Sequence, residues 1–364
     1  MSEKCSLEAC AVIMAGGRGT RFWPLSRRSR PKQFLPIVSR RPMIVDTVNR
    51  IRPLLALDSI FSISDSAQAA EIRRLVPDLP AGNVLIEPEG RNTAPSLVLA
   101  TAAIYLLNPE AVVVALPADH LIRRPGVFRR KLGAAIRAAA GGDVIVTFGI
   151  PPTFPATGFG YIHYDGGEKL KIGGEIFHPV LRFKEKPRLA QARSFLRQGN
   201  HAWNSGMFIW RADVFARKIE RHAPEFFSFW EKILAALEKK DRVEAERVFR
   251  RMPPISIDYA LMEKAEGVLV NSGDFGWSDV GSWQAAADLW PKDEKENAVR
   301  GRALVVDSRR CLIHSPHRLA AAVGLEDVII VDTEDALLVC RRDRDQAVKE
   351  VIERLEKQGK KKYL

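Results

Sequence analysis

Apolar residues in the first half of this chain fall into short continuous runs. Each run is followed by a longer stretch in which they recur every three or four positions. The runs predict strands at Ala11–Met14, Ser59–Ser64, Val84–Glu87, Val112–Leu116 and Val144–Phe148. The periodic stretches predict helices at Met43–Leu55, Ala67–Val76, Ala94–Leu106 and Phe128–Ala139. Strands that do not alternate are expected where helices cover both faces of a parallel sheet, so the fold class is α/β with a mostly parallel, helix-flanked sheet. After Thr153 the pattern changes to glycine-punctuated β segments, "GFGYIHYD", "VLRFKEKP" and "NSGMFIW", with helices between. From about Glu294 it changes again, to the short strands "RALVVD", "CLIHS" and "VIIVDTEDALLVC" and a helix at Gln346–Lys357. The expected division is therefore a large domain over residues 1–293 and a small β-rich C-terminal domain over 294–364. "VIIVDTEDALLV" is too apolar to be free, and the first domain or a second copy in a homodimer would cover it.

Composition narrows the classes. The 364 residues are 46% hydrophobic and 27% charged, enough for a sizeable core. No apolar run spans a bilayer and Met1 to Cys10 lacks a signal-peptide core, so no membrane role and a cytoplasmic location are expected. Cys5, Cys10, Cys311 and Cys340 form neither a CxxC pair nor a zinc spacing, which fits reduced thiols. The net charge of +12 invites a nucleic-acid partner. The cations are dispersed, however, and no nucleic-acid-binding motif is present. The one dense run, "KQGKKKY", reads as a solvated or frayed helix end.

The first chemical signal is "AVIMAGGRGTRFWPLSRRSRPKQF", a strand that breaks into glycines and then a crowd of cations. No Lys-Ser or Lys-Thr pair follows the last glycine, which excludes a P-loop. Phe22 stands where a dinucleotide fingerprint needs its third glycine. Gly16, Gly17 and Gly19 can still bring bare N–H groups to an anion, and Arg21 and Lys32 add charge, Arg21 as a two-pronged donor. In open α/β sheets ligands sit beyond the carboxyl ends of strands, which would gather this loop, "EPEGRNTAP" and "LPADH" at one crevice.

Asp119 follows "VVVALPA", and Asp279 lies in "FGWSDVGSW" just ahead of the helical pattern "SWQAAADLW". Each alone could cap a turn or the next helix. Together with a phosphate loop, the two carboxylates suit Mg²⁺, which takes one or two carboxylates and completes its shell with waters and phosphate oxygens. Two carboxylates ~4 Å apart repel by about 4 kcal/mol at an effective dielectric of ~20, so the pair needs a divalent ion or another cation. Glu185 could accept from sugar hydroxyls and Lys186 could reach a phosphate, or the pair simply ends a strand before Pro187. Asn204 offers a donor and an acceptor suited to a sugar ring, while Trp203, Phe208 and Trp210 read as core. His120 reads as a structural or exposed histidine rather than a base.

The set "AGGRGTRFWPLSRRSRPKQFLP", "EPEGRNTAP", "LPADH", "FKEKP", "WNSGMF", "SIDYALMEK" and "FGWSDVGSW", in this order from Ala11 to Trp283, resembles bacterial mannose-1-phosphate guanylyltransferases, within the sugar-phosphate nucleotidylyltransferases. The resemblance implies a Rossmann-like nucleotidyltransferase fold that converts GTP and mannose 1-phosphate to GDP-mannose and pyrophosphate. By the resemblance Gly16, Gly17, Gly19, Thr20 and Arg21 cradle the triphosphate, with Lys32 near the reacting phosphates. The loop carrying Glu87, Arg91, Asn92 and Thr93 lies near the base. Asp119 and Asp279 hold Mg²⁺, and Gly160, Glu185, Lys186 and Asn204 serve the sugar phosphate. Phe22 departs from the usual leucine and Ser96 from the usual alanine. The phosphomannose isomerase domain of longer relatives does not follow, which reads as a monofunctional enzyme. Three alternatives stay open: the same chemistry on a glucose or heptose 1-phosphate, a non-catalytic regulatory subunit binding nucleotide sugars, and a nucleic-acid-binding protein.

Overall fold

The structure, a computed structural model, describes residues 8–17 and 19–364; Cys5 lies outside the described residues. Contacts divide the chain into two units. One comprises 1–16, 48–118 and 122–277, the other 17–47, 119–121 and 278–364.

The first unit is built on a ten-stranded sheet. Its strands are β1 (Ala9–Met14), β2 (Ile60–Ser64), β3 (Val84–Ile86), β4 (Val112–Pro117), β5 (Ile145–Ile150), β6 (Tyr161–Tyr164), β7 (Leu170–Ile172), β8 (Glu175–Lys184), β9 (His201–Arg211) and β10 (Val268–Ser272). Their order is β3-β2-β1-β4-β9-β5-β10-β8-β6, with β7 paired to β8. The pairs β3–β2, β2–β1 and β1–β4 are parallel, as the unbroken apolar runs predict. β9, which carries "NSGMFIW", inserts antiparallel between β4 and β5. Strand direction is set by pairing partners, which an apolar run does not encode. The helix Thr93–Leu107 is apolar nearly all round and correspondingly buried, in a core that includes Trp210, Phe215, Trp230 and Phe249. Phe208 and Trp210 are buried in the same cluster, as expected.

The second unit joins the segment after the glycine loop to the C-terminal part of the chain. Its four-stranded sheet is β11 (Ala298–Val306), β12 (Leu312–Val323), β13 (Val328–Asp332) and β14 (Leu337–Arg341), parallel except for the β13–β14 pair. "VIIVDTEDALLVC" thus becomes a hairpin, turning at Thr333. One apolar cluster contains Phe22, Trp23, Leu35, Ile37 and Met43 together with Trp283, Trp290, Leu312, Ile329, Val331, Leu338 and Val348. Arg300 stacks on Trp290, 4.1 Å from the ring centre, and donates to the Ile37 and Val38 carbonyls. The run at the end of the chain is solvated but tied at Tyr363, whose carbonyl accepts from Trp23 Nε1 at 2.8 Å. An indole N–H in an apolar cluster needs an acceptor, and this carbonyl supplies it. Among the described residues no helix is long and apolar enough to cross a membrane.

Candidate functional site

In the second unit the glycine loop is fixed by the turn that follows it. Gly19 has φ +56°, and a Cβ there would come within 2.3 Å of Lys32 Cβ, so only glycine lets the loop close over this turn. Ser26 Oγ donates to the Gly19 carbonyl and Gln33 Nε2 to the Gly17 carbonyl. Thr20–Phe22 then form one 3₁₀ turn. Arg21 Nη1 donates to the Gly281 carbonyl at 3.3 Å, while its Nε is buried without a partner. Such an orphaned donor costs about 1–3 kcal/mol, which a bound anion would remove.

Lys32 is 4% exposed. Its Nζ donates to Asp119 Oδ2 at 2.8 Å and to the Asp279 backbone carbonyl at 2.5 Å. The cation that the carboxylate pair requires is thus partly supplied by Lys32. Burial pushes the Asp119 carboxyl up, but Lys32 and then His120 outweigh it and hold Asp119 below the usual range. Burial also raises Asp279, and there Lys32 and Arg21 do not overcome burial and the repulsion of Asp119, so Asp279 stays high. Among the described residues no cation forms an ion pair with Asp279. Ser282, not Asp279, caps the helix Trp283–Leu289, which removes the capping alternative. Between them Val280 is buried at φ +46°, a conformation that costs a β-branched residue on the order of 1–3 kcal/mol. This strain sits directly beside Asp279.

The donor set tests the fit to Mg²⁺. Among the described residues no three His, Cys, Asp or Glu side chains cluster as a metal cage. The Asp119 side chain keeps 32% of its surface exposed, and Asp279 is half-buried and undercompensated. Two oxygen donors of this kind suit an ion that draws its other ligands from water and phosphate.

In the first unit, Glu87 follows β3 and is buried, its N–H donating to the Ser64 carbonyl and its Oε1 lying against Gly16. Ser96 Oγ donates to Glu87 Oε2 at 2.6 Å. Burial pushes the Glu87 carboxyl up to about 7; the Ser96 hydroxyl opposes this and Asp65 adds to it. Asn92, at φ +69°, caps the helix Thr93–Leu107 by accepting from the Thr93 N–H. Thr93 Oγ1 accepts from the Ile257 N–H, and Arg91 donates to the Met252 carbonyl and pairs with Glu89. Arg91 and Thr93 therefore brace the loop, while the Glu87 side chain lies against Gly16 at the end of β1.

A second cluster in this unit gathers Gly160, Glu185, Lys186 and Asn204. The Asn204 N–H donates to the Gly160 carbonyl at 2.8 Å. A Cβ at Gly160 would stand 2.3 Å from Glu185 Oε2, so the backbone there must be bare. Lys186, at φ +43°, pairs with Glu185 at 3.1 Å and is otherwise exposed. The sequence reading missed Asp258, which accepts from Asn204 Nδ2 at 2.6 Å. Its position at the head of an apolar run in "SIDYALMEK" was the available signal.

The nucleotidyl transferase family matches residues 10–296, and the MannoseP isomerase/GMP-like β-helix domain matches residues 301–355. A mannose-1-phosphate guanylyltransferase of Klebsiella pneumoniae is 36% identical over 357 residues, covering 97% of this chain and 75% of the relative. The xanthan biosynthesis protein XanB of Xanthomonas campestris is 38% identical over 355 residues, covering 96% and 73%. A crystal structure from Thermus thermophilus, described as a mannose-1-phosphate "geranyltransferase", superposes with a TM-score of 0.86 at 34% identity, covering 96% of this chain and 99% of that one. The chain belongs to the mannose-1-phosphate guanylyltransferase family, a nucleotidyl transferase domain followed by a β-helix domain.

Proposed function

We propose that this chain transfers GMP from GTP to α-D-mannose 1-phosphate, releasing pyrophosphate and forming GDP-mannose. The observation that carries the reading is the Lys32 ammonium, held between the Asp119 carboxylate and the Asp279 carbonyl in the unit that also holds the orphaned Arg21 Nε. The phosphate of mannose 1-phosphate is anionic at neutral pH, so its oxygen needs no general base. It attacks the α-phosphorus of GTP in line. The new P–O bond forms as the bond to pyrophosphate breaks, and the electron pair leaves with pyrophosphate. Arg21 and Lys32 meet the charge that shifts between the attacking and leaving oxygens. Asp119 and Asp279 would hold Mg²⁺, which supplies further neutralisation of phosphate charge when bound. Gly16, Gly17, Gly19 and Thr20 present backbone N–H groups to the triphosphate. Glu87, with the loop braced by Arg91, Asn92 and Thr93, meets the base. Glu185, Asn204 and the bare backbone of Gly160 take the hexose, and Lys186 takes its phosphate.

The test is product analysis after incubation with Mg²⁺, each nucleoside triphosphate and a panel of sugar 1-phosphates. GTP should be preferred over ATP and UTP by roughly 10⁴, because a site paired to guanine leaves buried polar groups unmatched by other bases. Mannose and glucose differ only in the direction of the 2-hydroxyl, so glucose 1-phosphate should leak through. Better turnover with UTP refutes the guanine assignment. A preference for another sugar changes the substrate but not the mechanism, and no nucleotide sugar from any pair would point to a regulatory subunit.

A further inference from the structure

Two local irregularities bring Asn204 and Asp258 together. Asn204 stands where the register of β9 against β5 shifts, and Gly206, two residues on, has φ +69°. Such a bulge re-aims a side chain out of the regular pleat. Asp258 opens the π-helical turn Asp258–Met262, in which an extra residue widens the helix; such turns concentrate at functional sites. The Asn204 amide is then fixed at both ends, its Oδ1 accepting from the Gly206 N–H at 3.0 Å and its Nδ2 donating to Asp258 Oδ1 at 2.6 Å.

The arrangement costs more than a structural tie requires. Asp258 lies beside Glu185, and burial, then that neighbour, push its carboxyl up to about 6 against the hydrogen bond from Asn204 and the weaker pull of the Lys186 cation. Lys186 pairs with Glu185 rather than with Asp258, and among the described residues no cation pairs with Asp258. Its Oδ2 accepts no hydrogen bond from another described residue, and the residue is only half-buried. A neutral partner for Asn204 would tie the loop without like-charge repulsion. Two adjacent carboxylates beside bare backbone are instead suited to a ligand with several hydroxyl donors and no charge of its own at that end, which is a hexose ring.

We propose that Asp258 is a specificity-determining residue of the hexose subsite: it orients the Asn204 amide and accepts a hydrogen bond from one sugar hydroxyl through its second oxygen. The inference rests on the function proposed above. The test measures steady-state kinetics with mannose 1-phosphate and its monodeoxy analogues, for wild type, Asp258→Asn and Asp258→Ala, with melting curves as a control. In the wild type, removal of one particular hydroxyl should lower kcat/KM by about tenfold or more, as expected for a hydrogen bond to a charged acceptor. In both variants the KM for mannose 1-phosphate should rise by a similar factor, with the KM for GTP changed less than twofold. The analogue that suffers in the wild type should show little further loss in Asp258→Asn. An unchanged sugar KM and an unchanged analogue ranking in the variants would reduce Asp258 to a tie. Should the variants fail to fold, the wild-type panel still decides, since tolerance of every monodeoxy analogue overturns the proposal. A wild type that turns over no sugar 1-phosphate overturns the underlying function as well, which distinguishes the two failures.

Discussion

Glu87→Gln should change the pH dependence of stability in a calculable way. The carboxyl is buried, and its titration moves from the ordinary 4.5 to about 7 in the folded chain. Between these values the folded protein keeps a proton that the unfolded chain has released, so stability falls as pH rises through the window and the loss is complete above 7. The difference between 4.5 and about 7, at about 1.36 kcal/mol for each tenfold change in proton affinity, gives roughly 3 kcal/mol. Glutamine has the same shape and stays neutral, so the variant should escape the loss. The stability of Glu87→Gln relative to wild type should therefore grow by about 2–3 kcal/mol between pH 5 and pH 8. Urea unfolding of the ligand-free proteins at intervals across that range measures it. Ser96→Ala provides an internal check. Its hydroxyl stabilises the ionised carboxylate at 2.6 Å, so its removal should cost more at pH 8 than at pH 5. Parallel stability–pH curves for wild type and Glu87→Gln would refute the reasoning, because the proton would then not be held by Glu87.

Asp119→Asn and Asp279→Asn should each lower kcat by about 10²-fold or more at saturating Mg²⁺ with the fold intact by circular dichroism; near wild-type turnover would remove that residue from the metal site. Arg21→Ala and Lys32→Ala should depress kcat and kcat/KM together, since both are assigned to charge that develops in the transition state. A rise in KM alone would demote them to general anion attraction. A chain ending near Pro291 should be insoluble or inactive, because Leu312, Ile329, Val331 and Leu338 share one apolar cluster with Phe22, Trp23 and Leu35. A soluble, monodisperse and fully active product would contradict this.

The sequence made the local features legible and the long-range ones not. The apolar runs located β1 to β5 within a few residues, and β1, β3 and β4 led into motifs whose residue types named their chemistry. Lys32, Asp119 and Asp279 stand out by charge and by their place at loop and strand ends, and the structure joins Lys32 to the Asp119 carboxylate and the Asp279 backbone carbonyl. Ser96 stood out as a departure, but nothing local shows that its hydroxyl reaches Glu87. Asp258 was hidden because "DYALM" scans as an ordinary helical turn, and the π geometry that presents it depends on surrounding packing. Equally, no pattern in "RFWPLSRRSRPKQFLPI" says that its aromatic and aliphatic side chains belong with the C-terminal strands.

That last pairing has a consequence for how the protein is made. Gly17–Thr47 leaves the ribosome early, yet apart from Asp119–Leu121 the rest of its unit begins only at Ser278. At 5–20 residues per second, on the order of ten seconds or more separates the two. During that interval Phe22, Trp23, Leu35, Ile37 and Met43 lack the surface that buries them in the finished fold, and Arg21 and Lys32 lack the scaffold that aims them. The first chemical groups to be synthesised are thus the last to be set in place. A ribosome that stalled just past Trp283 would hold a chain containing every signature motif and none of the C-terminal strands that share a cluster with Phe22 and Trp23.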